Sequence, residues 1–252
     1  MIINMRLTTV LGCVNGNKNY YMFIPKQLIF WKKYGIKFIA VFVGDSLPEE
    51  LIEYKENIIL WNHNSNLHSA YVAQNLRIYY PALLDLPDDE LLMITDMDML
   101  PMNYTYYKND LENFNKDDFI YYRHIDRECN PHQIYMCYNA ANPQTWSKAF
   151  KINSTDDVIN KIQENSNNNY DGVPGSTGWF IDQEIMYKNL STYEHLKVLE
   201  RPIKRLETWM YRDHLAKGHT NFTKEYDDAH FHRHYFNNED IILDAENQLN
   251  SQ

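Results

Sequence analysis

Leu91-Leu92-Met93-Ile94-Thr95-Asp96-Met97-Asp98-Met99-Leu100-Pro101-Met102-Asn103 is the stretch around which the rest of the chain is organised. Its first residues are apolar and uncharged, which predicts a buried strand. Asp96 and Asp98 follow at the point where that strand should end. Two carboxylates at a strand end suit a hard cation, Mg²⁺ or Mn²⁺, whose coordination is usually completed by phosphate oxygens and water. The same short motif also occurs as a solvated acidic turn, and both interpretations are open at this point.

The composition is that of a folded, acidic protein. The chain has 252 residues, of which 44% are hydrophobic, and its formal net charge is −10. This charge disfavours binding to nucleic acid or to anionic membranes, because both require a surplus of Lys and Arg. The sequence has no apolar run of membrane-spanning length, and its start is typical of a first strand rather than of a signal peptide. We therefore expect a soluble protein without a membrane-spanning segment.

The cysteines indicate a reducing compartment. Cys13, Cys129 and Cys137 lie far apart, form an odd set and lack the spacing of a metal site. Free thiols are usual in the cytoplasm and unusual outside the cell. We expect a cytoplasmic protein, either of a cell or of a virus within its host.

The first half of the chain alternates strand and helix patterns. Buried strands are predicted at residues 7–14, 36–43 and 58–61, helices at 23–34 and 69–84, and a helix start at 45–50. This alternation is typical of an α/β fold with a mainly parallel sheet and helices on both faces. In such sheets ligands bind beyond the carboxyl ends of the strands, where the sequence has residues 13–16, 44–45 and 96–98.

The second half is less regular. Aromatic-rich strands are predicted at 118–123 and 133–138, short helices at 146–150 and 156–164, and a further helix that begins near residues 179–184 after a glycine-rich stretch at 171–178. His230, His232 and His234 alternate as they would on one face of a strand. Without an internal repeat or a clear linker, a single domain over residues 1–252 is the simplest organisation.

Taken together, these features resemble the nucleotide-sugar glycosyltransferases of the glycosyltransferase A fold, and among them the glycogenin-like retaining enzymes of family 8. Arg77, which precedes Pro81 on the helix before the acidic motif, is similar to a basic residue of those enzymes. The turn with Asn139 resembles their Asn-x-Gly turn, with Ala141 in place of the glycine. The resemblance implies a Rossmann-like, mainly parallel sheet flanked by helices, with a smaller mixed C-terminal region on the acceptor side.

Two later motifs extend the resemblance. Asp182-Gln183-Glu184 is similar to the Asp-Gln-Asp element of the family, with the last acid changed. His230-Phe231 is similar to the start of its terminal His-Phe-x-Gly segment, but Arg233 replaces the glycine and the following Lys-Pro-Trp is absent. The resemblance divides the domain into a nucleotide-binding half (1–103), a half for the donor sugar and the acceptor (104–236) and an acidic tail (237–252).

The resemblance also implies a metal-dependent reaction. A divalent ion, Mn²⁺ or Mg²⁺, would stabilise the diphosphate that leaves as the glycosidic bond breaks. Asp98 is the expected direct ligand, and Asp96 would share the metal or contact the ribose. A third ligand is expected from the late histidines, with His230 first and His232 second, because a neutral imidazole can bind Mn²⁺.

The remaining candidate residues contact the donor or take part in catalysis. Asp182 and Gln183 are expected beside the reacting sugar, and if the enzyme inverts the anomeric centre, Asp182 or Glu184 would be the general base. The expected donor-binding residues are Thr9, Gly12, Val14, Arg77, Asp96, Asn139 and Arg233. The implied substrates are a UDP-sugar or GDP-sugar as donor and a glycan or another hydroxyl compound as acceptor, with retention preferred.

Two other classes of protein fit parts of the pattern. Haloacid-dehalogenase-like phosphatases also have Asp-x-Asp after an apolar strand, and there Asp96 would be the covalent nucleophile. Their motif normally follows the first strand, whereas here a strand-helix-strand-helix unit precedes it. The other alternative is a catalytically silent module that binds sugars or nucleotides.

Overall fold

The computed structural model describes residues 4–62, 66–122, 132–166, 170–173, 175–176, 178–199, 201–207, 225–231 and 235–250. The strands are β1 (Arg6–Asn15), β2 (Lys37–Val43), β3 (Ile58–Trp61), β4 (Glu90–Ile94), β5 (Met99–Pro101), β6 (Phe119–Tyr121), β7 (Asn139–Ala141), β8 (Leu196–Val198), β9 (Arg205–Glu207) and β10 (Asp228–His230). The α-helices are α1 (Lys18–Tyr21), α2 (Ile24–Lys33), α3 (Ser69–Tyr79), α4 (Tyr104–Lys108), α5 (Pro143–Phe150), α6 (Thr155–Glu164), α7 (Ile181–Leu190) and α8 (Glu239–Asn250). Short 3-10 helices lie at Glu49–Asn57, Tyr80–Leu83, Leu111–Asn113 and Tyr235–Asn237.

A seven-stranded sheet forms the centre of the fold, in the order β3-β2-β1-β4-β7-β6-β8. The strands from β3 to β4 are parallel, β7 is antiparallel to both β4 and β6, and β8 is parallel to β6. The carboxyl end of β4 lies beside Leu11 of β1, because Leu11 pairs with Ile94, and β1 continues beyond this point to Asn15. The predicted α/β architecture with a mainly parallel sheet is confirmed.

Both faces of β4 are buried, which explains its uninterrupted apolar sequence. Leu91 and Met93 pack into one apolar cluster, whereas Leu92 and Ile94 pack into another. The first cluster includes side chains of α2 and α8, and the second includes side chains of α3, α5, α6 and α7. Burial of one aliphatic side chain contributes about 1.5–3 kcal/mol to the free energy of folding. The buried residues on both faces of β4 therefore hold the strand that leads into the acidic motif in place.

A second, three-stranded sheet continues the chain beyond the acidic motif, in the order β5-β10-β9. β10 is antiparallel to β5, with His230 opposite Met99, and parallel to β9, with His230 opposite Glu207. The sheet therefore joins the residues that follow Asp98 to a segment from the end of the chain.

Three expectations about local structure are wrong. Residues 133–138 do not form a strand; β7 begins at Asn139, whose side-chain nitrogen donates to the carbonyl oxygens of Tyr135 and Met136. These carbonyl groups are thus held by a side chain. The helix predicted at 69–84 ends at Tyr79, and a 3-10 turn with Pro81 at its start replaces the last part. The helix start at 45–50 leads into the 3-10 helix Glu49–Asn57 rather than an α-helix.

Of the three late histidines expected on one face of a strand, the structure describes only His230. The strand that carries His230 ends at that residue, and His232, Arg233 and His234 lie outside the described residues. The segment expected as an acidic tail contains α8, whose buried residues are Ile241, Ile242, Ala245 and Leu249. Within the described parts of the chain, no helix is both long and apolar enough to cross a membrane.

Candidate active site

A cavity of about 680 Å³ opens where β1 and β4 end. Its wall includes the end of β1, the Asp-x-Asp stretch, one side of α3, the start of α7, the start of β9 and the end of β10. This is the edge of a parallel sheet at which ligands are expected. Among the lining residues are Asp96, Asp98, Arg77, Asp182, Gln183 and His230.

Asp98 and His230 meet inside this cavity. Nε2 of His230 lies 3.7 Å from Oδ2 of Asp98. The pairing of β10 with β5 produces this contact, and the backbone N–H of Phe231 donates to the carbonyl oxygen of Asp98 over 2.8 Å. On the other side of the ring, Nδ1 of His230 lies 3.1 Å from Oε2 of Glu207. Burial lowers the pKa of the His230 imidazole, but the flanking carboxylates of Asp98 and Glu207 outweigh burial and raise the pKa to about 10. A metal ion bound at Nε2 would therefore displace a proton, while Nδ1 keeps its proton on the Glu207 side.

Arg77 bridges Asp96 and Asp182. Its guanidinium donates to Oδ1 of Asp96 and, over 2.6 Å, to Oδ2 of Asp182. Burial raises the pKa of both carboxyl groups, but for Asp96 the charge of Arg77 outweighs burial and the pKa falls below its ordinary value. For Asp182, burial and the neighbouring Asp96 outweigh Arg77, and the pKa is raised. One arginine therefore fixes two carboxylates whose proton affinities have moved apart.

The donor set suits a divalent cation that also binds a substrate. Among the described residues, no group of three or more His, Cys, Asp and Glu side chains is arranged to hold a metal ion by itself. Asp98 and His230 supply an oxygen and a nitrogen ligand close together, with Asp96 two residues away. Mg²⁺ and Mn²⁺ are commonly held by one or two carboxylates and completed by substrate phosphates and water, so a site with few protein ligands is compatible with such an ion.

The cavity brings together only part of the predicted site. Of the predicted residues, those that line it are Val14, Arg77, Asp96, Asp98, Asp182, Gln183 and His230. Thr9, Gly12 and Asn139 are buried outside its lining, and Glu184 is exposed to solvent away from it. His232 and Arg233 lie outside the described residues.

Gly12 and Asn139 support residues that do line the cavity. A Cβ atom on Gly12 would lie 2.6 Å from the sulfur of Met97, so the absence of a side chain lets Met97 pack against β1 between the two aspartates. Asn139 is fully buried, and its side-chain nitrogen donates to the backbone carbonyl oxygens of Tyr135 and Met136. Both of these residues form part of the cavity wall.

Sequence reasoning missed several polar residues near the site. Gln27 on α2 is fully buried and donates to the carbonyl oxygens of Met97 and Met99, while Glu207 contacts His230. Arg205 lines the cavity and forms two hydrogen bonds with the buried carboxylate of Asp228. Only Gln27 could have been found from a local pattern in the sequence. It interrupts the apolar face of the amphipathic helix α2, where it lies between Ile24 and Trp31.

Comparison with known proteins identifies the fold. No protein-family model and no curated protein sequence matches the chain. Among solved structures, the apo form of the glycosyltransferase GlyE of Streptococcus pneumoniae TIGR4 matches 97% of this chain and 62% of its own, with a TM-score of 0.51 and 9% sequence identity. The chain has the glycosyltransferase A fold. The chain aligns with only 62% of GlyE, which is less than two thirds of that protein. At 9% sequence identity, the match shows the fold alone.

Two further structures align along nearly the whole chain. A glycosyltransferase involved in the glycosylation of the major capsid of PBCV-1 matches 97% of this chain and 99% of its own, with a TM-score of 0.45 and 11% identity. The galactosyltransferase LgtC, in complex with donor and acceptor sugar analogs, matches 97% of this chain and 96% of its own, with a TM-score of 0.45 and 10% identity. In the present chain, the cavity and its acidic residues lie at the carboxyl end of β4.

Proposed function

We propose that this protein is a metal-dependent glycosyltransferase that moves a sugar from a nucleoside diphosphate sugar, a UDP-sugar or GDP-sugar, to a hydroxyl group of a glycan. The observation that carries the proposal is the contact between Asp98 and His230, with Asp96 in the same wall, in a cavity of about 680 Å³ at the carboxyl edge of a sheet with the glycosyltransferase A fold. A carboxylate pair with an imidazole and an adjoining roomy cavity suits a metal-bound diphosphate with a further group attached.

Asp98 and His230 would hold the divalent ion, Mn²⁺ or Mg²⁺, with Asp96 beside them. The ion supplies Lewis-acid stabilisation of the diphosphate that leaves. Arg77 keeps Asp96 and Asp182 in fixed positions, so the carboxylates need not reorganise when the donor binds. Glu207 orients the imidazole of His230 through its Nδ1.

We propose that the reaction retains the anomeric configuration. Inversion needs a carboxylate that is free to take the proton of the acceptor hydroxyl. Asp182 is fixed by two contacts, because its Oδ2 accepts from Arg77 over 2.6 Å and its Oδ1 accepts from the backbone N–H of Gln183 over 2.8 Å, and such a fixed carboxylate suits a positioning role. Glu184, the other candidate base, is exposed outside the cavity lining. These contacts favour Asp182 and Gln183 as groups that position the donor sugar.

Thermal denaturation with a panel of nucleotides tests the proposal. Wild-type protein is melted with UDP, GDP, UDP-glucose, UDP-galactose or GDP-mannose, each with Mn²⁺ or with a chelator. A ligand that binds only the folded state raises the melting temperature according to its concentration divided by its dissociation constant. We expect one nucleotide series to raise the melting temperature in the presence of Mn²⁺ and not with the chelator.

The matched variants are Asp98→Asn and Asp85→Asn. Asp85 is an exposed aspartate outside the cavity lining, so its variant should keep the nucleotide shift, whereas Asp98→Asn should lose it. Nucleotide binding without any release of nucleoside diphosphate from the donor would instead indicate a silent binding module. No shift with any nucleotide, together with hydrolysis of a simple phosphate ester that requires Asp96, would support the phosphatase alternative.

A further inference from the structure

Several polar side chains of the cavity have buried atoms without a hydrogen-bond partner. Within the described part of the chain, Nε of Arg77 makes no hydrogen bond, and neither do three neutral groups, Oε1 of Gln74, Oε1 of Gln183 and the hydroxyl of Tyr170. All three residues line the same cavity. Buried polar atoms are nearly always paired in folded proteins, so a group of unpaired atoms in one cavity indicates a ligand that pairs with them.

The three residues are held in place by other contacts. Nε2 of Gln74 donates to the carbonyl oxygen of Trp179 over 3.5 Å, which leaves its Oε1 as the free end of the amide. The ring of Tyr170 packs against the ring of Tyr71 with centroids 5.5 Å apart. Gln183 lies on the first turn of α7. The unpaired atoms therefore belong to residues that helices α3 and α7 and their neighbours already fix.

These groups are neutral, unlike the residues beside them. Gln74 lies one helical turn before Arg77 on α3, and Gln183 follows Asp182. Tyr170 lines the same cavity as the ion pair of Arg77 and Asp182. Amide oxygens and a phenol are suited to hydroxyl groups of a ligand, whereas the adjoining carboxylates and imidazole are suited to a metal-bound diphosphate. The ligand that matches both parts has neutral hydroxyl groups next to a diphosphate.

We propose that Gln74 and Tyr170, together with Gln183, form a subsite that binds the hydroxyl groups of the transferred sugar and selects the sugar. This inference rests on the proposed glycosyltransferase function and adds two residues to its site. A site built to hydrogen-bond a hydroxyl group discriminates strongly against ligands that lack it, because its own buried groups then stay unpaired. Gln74 and Tyr170 are therefore residues that determine donor specificity.

Isothermal titration of single variants tests the subsite. Gln74→Met and Tyr170→Phe remove the hydrogen-bonding atoms and keep most of the side-chain volume. Each protein is titrated, with Mn²⁺, with UDP, GDP, UDP-glucose, UDP-galactose and GDP-mannose. The quantity of interest is the dissociation constant for a sugar nucleotide divided by that for the matching diphosphate. We expect each variant to raise this ratio about tenfold for the sugar that the wild type binds, while binding of the diphosphate stays the same.

Two substitutions of the same kind outside the cavity serve as controls. Gln144 is exposed at the start of α5, and the hydroxyl of Tyr193 donates to the carbonyl oxygen of Asp117. Gln144→Met and Tyr193→Phe should leave the ratio unchanged. An unchanged ratio in Gln74→Met and Tyr170→Phe, or an equal loss for sugar nucleotide and diphosphate, would overturn the subsite. Failure of the wild type to bind any nucleotide would overturn the proposed function, and the subsite with it.

Discussion

Nε2 of Gln27 donates a hydrogen bond of 2.7 Å to the carbonyl oxygen of Met99, directly after the Asp-x-Asp pair. The same nitrogen lies 2.9 Å from the carbonyl oxygen of Met97, between the two aspartates. Oε1 of Gln27 accepts from the indole N–H of Trp31 over 2.8 Å. A single buried amide on α2 thus holds the backbone that carries the acidic side chains.

Gln27→Leu should therefore destabilise the protein and loosen the acidic motif. The leucine leaves the indole of Trp31 and the two carbonyl groups without their partner, and we expect a loss of about 3 kcal/mol in the free energy of unfolding. Urea denaturation measures the loss, and the Mn²⁺-dependent nucleotide shift should weaken as well. Gln144→Leu at an exposed position is the control. A loss below about 1 kcal/mol for Gln27→Leu would contradict a supporting role for this amide.

Arg77 should contribute more to stability than an arginine with two carboxylate partners at the surface. Arg77→Met removes the partner of the half-buried Asp96 and leaves the buried carboxylate of Asp182 without its counter-charge, which costs about 3–5 kcal/mol. Arg6, whose side chain is 60% exposed, pairs with Asp89 and Glu90 and provides the comparison. Arg6→Met should cost less than about 1 kcal/mol. If chemical denaturation gives similar losses in the free energy of unfolding for the two variants, the buried ion pairs of Arg77 stabilise the protein no more than the exposed ion pairs of Arg6.

Gly12→Ala should disturb the acidic motif without touching a ligand directly. The added Cβ would lie 2.6 Å from the sulfur of Met97 and 3.1 Å from the ring of Phe38, so Met97 has to move. We expect a loss of about 1–3 kcal/mol in stability and weaker Mn²⁺-dependent nucleotide binding. Gly16→Ala, where an added Cβ meets nothing within 4 Å, is the control and should change stability by less than about 0.5 kcal/mol. Unchanged nucleotide binding in Gly12→Ala would show that the space at Gly12 is not needed for the binding site.

The elements that sequence predicts best are those whose signals are local. The run before Asp96 is apolar without interruption because its alternate residues enter two different apolar clusters, and this pattern is visible in the sequence. The position of Asp96 and Asp98 after a strand, and the gathering of strand ends, follow from the alternation of strands and helices. The fold class and the centre of the candidate site could thus be predicted.

Other parts of the site depend on pairings between distant segments. β5 has three residues and pairs with β10 near the end of the chain, and no local pattern indicates that Met99 lies opposite His230. Glu207 comes next to His230 only through the pairing of β9 with β10. The prediction of a strand at 133–138 failed because a side chain, that of Asn139, holds the carbonyl groups of Tyr135 and Met136. Contacts of this kind leave no periodic pattern of apolar residues in the sequence, so they could not be predicted from it.

The stereochemical outcome distinguishes the two roles considered for Asp182 and Glu184. Asp182 is fixed by Arg77 and by the backbone N–H of Gln183, and Glu184 is exposed, so we expect both to position or flank the donor rather than to act as a general base. Proton NMR of the first product formed should show the anomeric configuration of the donor. Glu184→Gln should keep the wild-type rate within about twofold, since a general base contributes 10²–10⁴-fold. An inverted product, or a rate loss of about a hundredfold in Glu184→Gln, would assign the base role to a carboxylate and contradict retention.

Glu207 should control the affinity of the site for Mn²⁺ through His230. Its carboxylate lies 3.1 Å from Nδ1 of His230 and fixes the ring so that Nε2 faces Asp98. Partners of this kind raise the basicity of a ligating histidine, and their removal typically weakens metal binding by about 10–100-fold. Glu207→Gln should therefore bind Mn²⁺ about tenfold more weakly in an electron paramagnetic resonance titration in the presence of the nucleotide. Glu194→Gln, at an exposed position outside the cavity lining, should bind it like the wild type. If Glu207→Gln keeps its Mn²⁺ affinity while Asp98→Asn loses it, the charge of Glu207 does not control metal binding through His230.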